Sequence, residues 1–170
     1  MKRIWMLVLV FAMLIPAFAL AGGETLLMEL PQDAQLIENV EFDDGDFIRT
    51  YQLSSGGSVQ LLRYADFSMP VEELAASEYP ALSDLRALDI QNVGGRPASG
   101  LRFTAVEEGQ AALDVTLICV HAGDAALIYK AAFPQTMGED AIETLLSGML
   151  ATMDVSSDGE EIVDETAEVG

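Results

Sequence analysis

Residues 101–133 read LRFTAVEEGQAALDVTLICVHAGDAALIYKAAF, and the fold depends on how they are parsed. Three apolar runs, Leu101–Val106, Ala112–His121 and Ala125–Phe133, are separated by short glycine-bearing breaks. Runs of this length between turn residues predict an antiparallel meander. Strand side chains alternate faces. Leu101, Phe103 and Ala105 therefore share a face, as do Leu113, Val115, Leu117 and Cys119, and Leu127, Tyr129, Ala131 and Phe133. The three sets merge into one apolar face only if each connection holds an odd number of residues. Three-residue loops achieve this by pairing Val106 with Gln110 and His121 with Ala125, with Gly109 supplying the positive φ that such loops want. A slip of one residue would scatter the core to both faces.

The opposite face of that meander is mixed. It carries Arg102, Thr104, Asp114, Thr116 and Lys130, but also Val106, Ile118, Val120 and Ile128. The predicted register sets Arg102 across from Asp114, and Lys130 opposite Thr116 and diagonal to Asp114. A sheet that is apolar on both faces over part of its length calls for cover on both sides. Cover for the first face, that of Leu101, Phe103 and Leu117, follows directly: Ile142, Leu145, Leu146, Met149, Leu150 and Met153 recur at helical spacing. Thr136 is placed to cap that helix, with Glu139 completing a capping box.

Working outward, Thr25–Leu30 is a short strand candidate ended by Pro31. Gln35–Phe42 and Phe47–Leu53 flank Asp43-Asp44-Gly45-Asp46, a hairpin signal, and Ser58–Ala65 adds a further strand. This second meander is less apolar and is placed nearer the sheet edge. Ser68 is the predicted cap of a helix that starts at Met69 and carries Val71, Leu74 and Ala75, with Glu72 and Glu73 favourable to its dipole. Tyr79-Pro80 should end it. A second short helix is expected through Ser83 with Leu82, Leu85 and Leu88, and the two helices are the candidates to cover the second face. Ile90–Val93 then leads through Gly94-Gly95-Arg96-Pro97 into the central meander. The expected fold class is α+β: an antiparallel sheet, built as meanders, sandwiched between helices in an α/β/α-like arrangement.

The ends of the chain bear on where it works. Lys2 and Arg3 precede an apolar run from Ile4 to Leu20, and Ala19-Leu20-Ala21 provides small residues for a cut after Ala21. This is a Sec signal peptide over residues 1–21. The rival reading is an uncleaved anchor, but the run is about the minimum that spans a bilayer and contains Pro16. No cysteine follows the cut, which argues against a lipoprotein. A single α+β domain is expected over residues 22–155, followed by an acidic, disordered tail over 156–170. The expected location is therefore outside the cytoplasm: secreted, periplasmic or at the cell envelope, with membrane contact only through the signal peptide.

Charge narrows the partners. The chain carries a formal charge of −20, and losing Lys2 and Arg3 with no acid takes it to −22. Nucleic acid and anionic lipid are poor partners for such a chain, because phosphate binding needs clustered Lys and Arg. One cysteine excludes an internal disulfide despite the export signal.

The order of elements resembles the PsbP-like superfamily, the extrinsic proteins of photosystem II and their bacterial and Ran-binding relatives. The residues that carry the resemblance are Met28-Glu29-Leu30-Pro31 opening the domain, Gly94-Gly95-Arg96-Pro97 before the last meander, the strands Val115–Val120 and Leu127–Phe133, and the closing stripe from Ile142 to Met153. It spans about Glu24–Val155. The resemblance implies an antiparallel sheet between helices and a non-enzymatic binding or assembly module. It transfers no functional residue.

Three constellations bear on chemistry. Cys119 and His121 point to the same face of one strand, as a nucleophile and base or half a zinc site would. Against this, Cys119 continues a core face, and no second His or Cys completes a metal set. Asp43, Asp44 and Asp46 offer oxygens to calcium, but Asp-Gly is hairpin chemistry and no glutamate stands at a calcium-loop spacing. Arg102, Asp114 and Lys130 form the candidate ligand-binding patch, since two of six basic residues beyond the leader converge there. The bland alternative is a solvated face with cross-strand ion pairs. The expectation is an exported, non-enzymatic domain with no cofactor or metal, binding another envelope or extracellular protein or a small ligand. The alternative is an exported hydrolase or metal-dependent enzyme using Cys119, His121 or the Asp43–Asp46 turn.

Overall fold

The computed structural model describes residues 24–106 and 111–156. The predicted signal peptide, nearly all of the predicted tail and the glycine of the first break lie outside the described residues. The fold is mixed α+β with antiparallel pairing throughout. In chain order it runs β1 (Thr25–Leu27), β2 (Gln35–Glu41), β3 (Phe47–Gln52), β4 (Ser58–Tyr64), α1 (Val71–Glu78), β5 (Leu82–Ala87), β6 (Asn92–Val93), β7 (Arg96–Ala105), β8 (Leu113–Ala122), β9 (Ala125–Pro134), α2 (Glu139–Ala151) and β10 (Asp154–Ser156). The main sheet has the order β2-β3-β4-β9-β8-β7-β5, with β6 folding onto β7, while β1 and β10 form a separate pair. The two predicted meanders thus join edge to edge through β4 and β9.

The register of β9 differs from the sequence expectation. Ala122 pairs with Ala125, so the turn is the two residues Gly123-Asp124 rather than three. Gly123 has φ +67°, at the position where tight two-residue hairpins prefer glycine. An even loop inverts the parity of the whole strand. Phe103 and Leu117 therefore face one way, and Tyr129 and Phe133 face the other. On β7 the parity is as expected but the pairing is shifted by two residues: Leu101 stands across from Leu117 and Arg102 across from Thr116.

Both faces of the central strands are apolar, so inversion costs the core nothing. Val115, Leu117 and Cys119 pack in one cluster with Leu101, Phe103, Ile128 and with Val71, Leu74 and Ala75 of α1. Ile118 and Val120 pack in a second with Leu127, Tyr129, Phe133 and with Ile142, Leu146 and Met149 of α2. The α2 stripe is buried as its spacing predicts, but against the Ile118 and Val120 face; the Leu101, Phe103 and Leu117 face that it was expected to cover lies under α1 instead.

Four local expectations are corrected. Residues around Ser83 form β5, not a helix. Ser83 and Asp84 are weak helix formers, and β7 offers an open edge to pair with. A bulge between Ser83 and Arg86 breaks the alternation and leaves the three-residue leucine spacing that mimics a helix. The cap of α2 is Gly138, not Thr136, which belongs to a short 3-10 turn over Gln135–Met137. The cap of α1 is Pro70, not Ser68. Ser156, expected to begin the tail, is the last residue of β10 and pairs with Thr25 of β1.

Candidate functional site

A cleft with a polar lining lies where the β5 edge meets the start of α2. It encloses about 610 Å3 and is lined by Asp84, Leu85, Arg86, Arg102, Phe103, Thr104, Asp114, Gln135, Glu139 and Ile142. The bulge in β5 shapes one wall. Asp84 adopts φ +54° there, a left-handed conformation that aspartate tolerates better than most residues. The opposite wall is Gln135 and the first turn of α2. Gln135 Nε2 donates to Thr104 Oγ1 at 3.1 Å, fastening that wall to β7.

Arg102 is the polar centre of the floor. Its Nε donates to Asp114 Oδ1 at 2.7 Å and its Nη2 to Oδ2 at 2.9 Å, a two-pronged fork across the β7–β8 pair. Nη1 donates to Glu143 Oε1 of α2. The Asp114 hydrogen bonds, opposed by burial and helped by Glu143, hold the guanidinium above its usual range. Three of its five N–H donors are engaged, and its charge is met by two carboxylates. Arg102 and Asp114 thus build the floor of the cleft and tie α2 to the sheet.

Lys130 does not join them. The inverted parity of β9 sets it across from Leu117, on the α1 side of the sheet. Its Nζ pairs with Glu78 Oε2 at 2.8 Å and lies 6.0 Å from the Tyr79 ring centre. The predicted trio is split by the sheet itself.

Arg86 was missed by the sequence reading, which had assigned it to a helix. It stands directly across from Arg102 in the β5–β7 pairing, exposed at the cleft. Among the described residues Arg49, Arg63, Arg96, Arg102 and Lys130 each pair with a carboxylate. Arg86 is the remaining cation, and no carboxylate of the described residues pairs with it.

The other two constellations are placed as follows. Cys119 is fully buried in the α1-side cluster, and burial pushes its thiol up to about 11, far from the thiolate a nucleophile needs. His121 is exposed at the strand end. In the Asp43–Asp46 turn, Phe42 N–H donates to the Asp46 carbonyl at 2.8 Å, Gly45 N–H to the Phe42 carbonyl at 3.0 Å, and Asp46 N–H to Asp44 Oδ1 at 3.1 Å. Asp46 Oδ1 in turn accepts from Ala65 N–H at 2.6 Å and from Arg63 at 3.4 Å. These carboxylates organise the turn. Among the described residues, no helix is long and apolar enough to cross a membrane.

No protein-family model matches the chain, and no curated protein matches its sequence. Among solved structures it is similar to LpqN, involved in cell envelope biogenesis of Mycobacterium tuberculosis, at 14% identity and a TM-score of 0.44, covering 80% of this chain and 86% of that one. It is also similar to PA94, a protein of unknown function from Pseudomonas aeruginosa, at 19% identity and a TM-score of 0.45, covering 74% and 96%. Neither description names the PsbP-like superfamily.

Proposed function

We propose that the chain is an exported, non-enzymatic binding domain of the cell envelope, an α/β/α sandwich of PsbP-like order whose cleft receives a small amphiphilic ligand with one anionic group. Export rests on the leader-like residues 1–21, and the PsbP-like order on the succession of strands and helices. The binding reading is carried by Arg86. In a chain of −20, the one described cation without a carboxylate partner lines this cleft. A free guanidinium is the natural partner of a carboxylate or phosphate oxygen. Leu85, exposed on β5, offers apolar surface beside it. Asp84 and Glu139 on the lining repel a second negative charge, so a monoanion fits better than a polyanion.

Octanoate is a suitable probe, with octylammonium as its cationic counterpart. Saturation-transfer NMR should detect octanoate on the parent chain and on Arg86→Lys, and binding at least tenfold weaker on Arg86→Ala. Octanoate binding that ignores Arg86→Ala would overturn the assignment, as would a preference for octylammonium.

A further inference from the structure

At the far end of the sheet from the cleft, every residue of β2 is exposed. The strand pairs on one side only, with β3, so the outward-pointing N–H and C=O groups of its free edge form a template for another strand. Such edges are commonly blunted by brevity, proline, charged side chains (lysine above all) or a bulge. β2 runs for seven residues and contains neither proline nor lysine; a bulge between Leu36 and Glu38 interrupts its ladder with β3, and Glu38 and Glu41 are its only charges. Ile37 is 61% exposed and Leu36 51%, with Val40 and Phe42 also open. Leu36 stands across from Tyr51, and Val40 across from Ile48. Tyr51 packs on the α2-side core and Ile48 on the α1-side core, so a strand added to β2 would extend both.

Charge selects the occupant. Residues 35–52 carry Glu38, Glu41, Asp43, Asp44 and Asp46 against Arg49 alone. Arg49 is already engaged by Glu41 at 3.5 Å and Asn39 at 3.3 Å. A second copy of this chain would set these carboxylates against their own kind, and like charges across a strand pair are destabilising. We propose that β2 is a strand-addition site for an extended segment of another protein that alternates basic and apolar residues. Main-chain bonds along the edge would supply affinity, and the alternating side chains would supply selectivity.

The test uses a fluorescein-labelled octapeptide of alternating valine and lysine, read by anisotropy and by hydrogen exchange of residues 35–41. Saturable binding is expected, with protection confined to β2 and weakening as salt is raised. A valine–glutamate octapeptide, and the valine–lysine octapeptide with alternate backbone nitrogens methylated, should each bind at least tenfold more weakly. The double variant Ile37→Lys, Val40→Lys should lose binding by a similar factor with an unchanged circular dichroism spectrum, since both side chains are exposed. Equal binding of the glutamate or N-methylated peptide would overturn the proposal. So would protection elsewhere in the chain, or protection of residues 35–41 by dimerisation without peptide.

Discussion

Arg102 gives the sharpest quantitative test of the site's architecture. Replacing it with methionine keeps most of the side-chain volume and removes three charge-assisted hydrogen bonds. The two carboxylates left behind fare differently. The Glu143 side chain is 54% exposed and returns to water at little cost, whereas that of Asp114 is only 16% exposed and loses both prongs of its fork. Breaking a buried pair from one side costs about 3–5 kcal/mol. The residual exposure of Asp114 places Arg102→Met at the lower end, about 3 kcal/mol. With a urea m-value of about 1.5–2 kcal/mol per M, the midpoint should fall by about 1.5–2 M. Replacing both partners, Arg102→Met with Asp114→Leu, removes the stranded charge and should recover all but about 1 kcal/mol. Circular dichroism is the appropriate probe, because the only tryptophan, Trp5, lies in the leader-like segment. A single variant within 1 kcal/mol of the parent would refute this account of the floor. A double variant as unstable as the sum of the singles would do the same.

Two further outcomes follow from packing and burial. Gly57 lies against the fully buried Phe133 ring; a Cβ there would sit 2.8 Å from Phe133 Cε1 and nearer still to Cδ1. Gly57→Ala should therefore lower stability by about 1–3 kcal/mol through overpacking, measured by urea melts, and a neutral variant would show that the ring has room to move. Burial raises the Cys119 thiol from its ordinary 9.0 to about 11, and raises the Tyr129 phenol as well. The folded chain then keeps protons that the unfolded chain releases, so stability is full below pH 9 and falls as the pH climbs from 9 toward 11. The cysteine contributes about 2 kcal/mol of that loss. Between pH 9 and 10 the decline in melting temperature should be visibly shallower in Cys119→Ala, and an unchanged slope would place the alkaline sensitivity elsewhere.

The periodic elements were legible because their environments are one-sided. The α2 stripe of Ile142, Leu146 and Met149 buries one face, and the hairpin around Asp43-Asp44-Gly45-Asp46 is punctuated by its own turn residues. The parity of β9 was not legible. Its two residue sets, Leu127, Tyr129 and Phe133 on one side and Ala126 and Ile128 on the other, are all buried, so hydrophobicity does not distinguish the faces. That choice alone decided whether Lys130 sat beside Arg102 or on the reverse of the sheet. The bulge in β5 hid Arg86 in the same way, by giving a strand the apolar spacing of a helix.

By itself the sequence determined the antiparallel α+β character, the apolar stripe of the last helix and a strongly acidic net charge. Alternation, helical spacing and net charge are properties of neighbouring residues or of plain sums. The tertiary structure decided which charges meet. Arg102 reaches Asp114 on the next strand and Glu143 on a helix, Lys130 is carried away to Glu78, and Arg86 is left facing the cleft. Pairing between distant residues depends on register, and here a two-residue turn at Gly123-Asp124 set it.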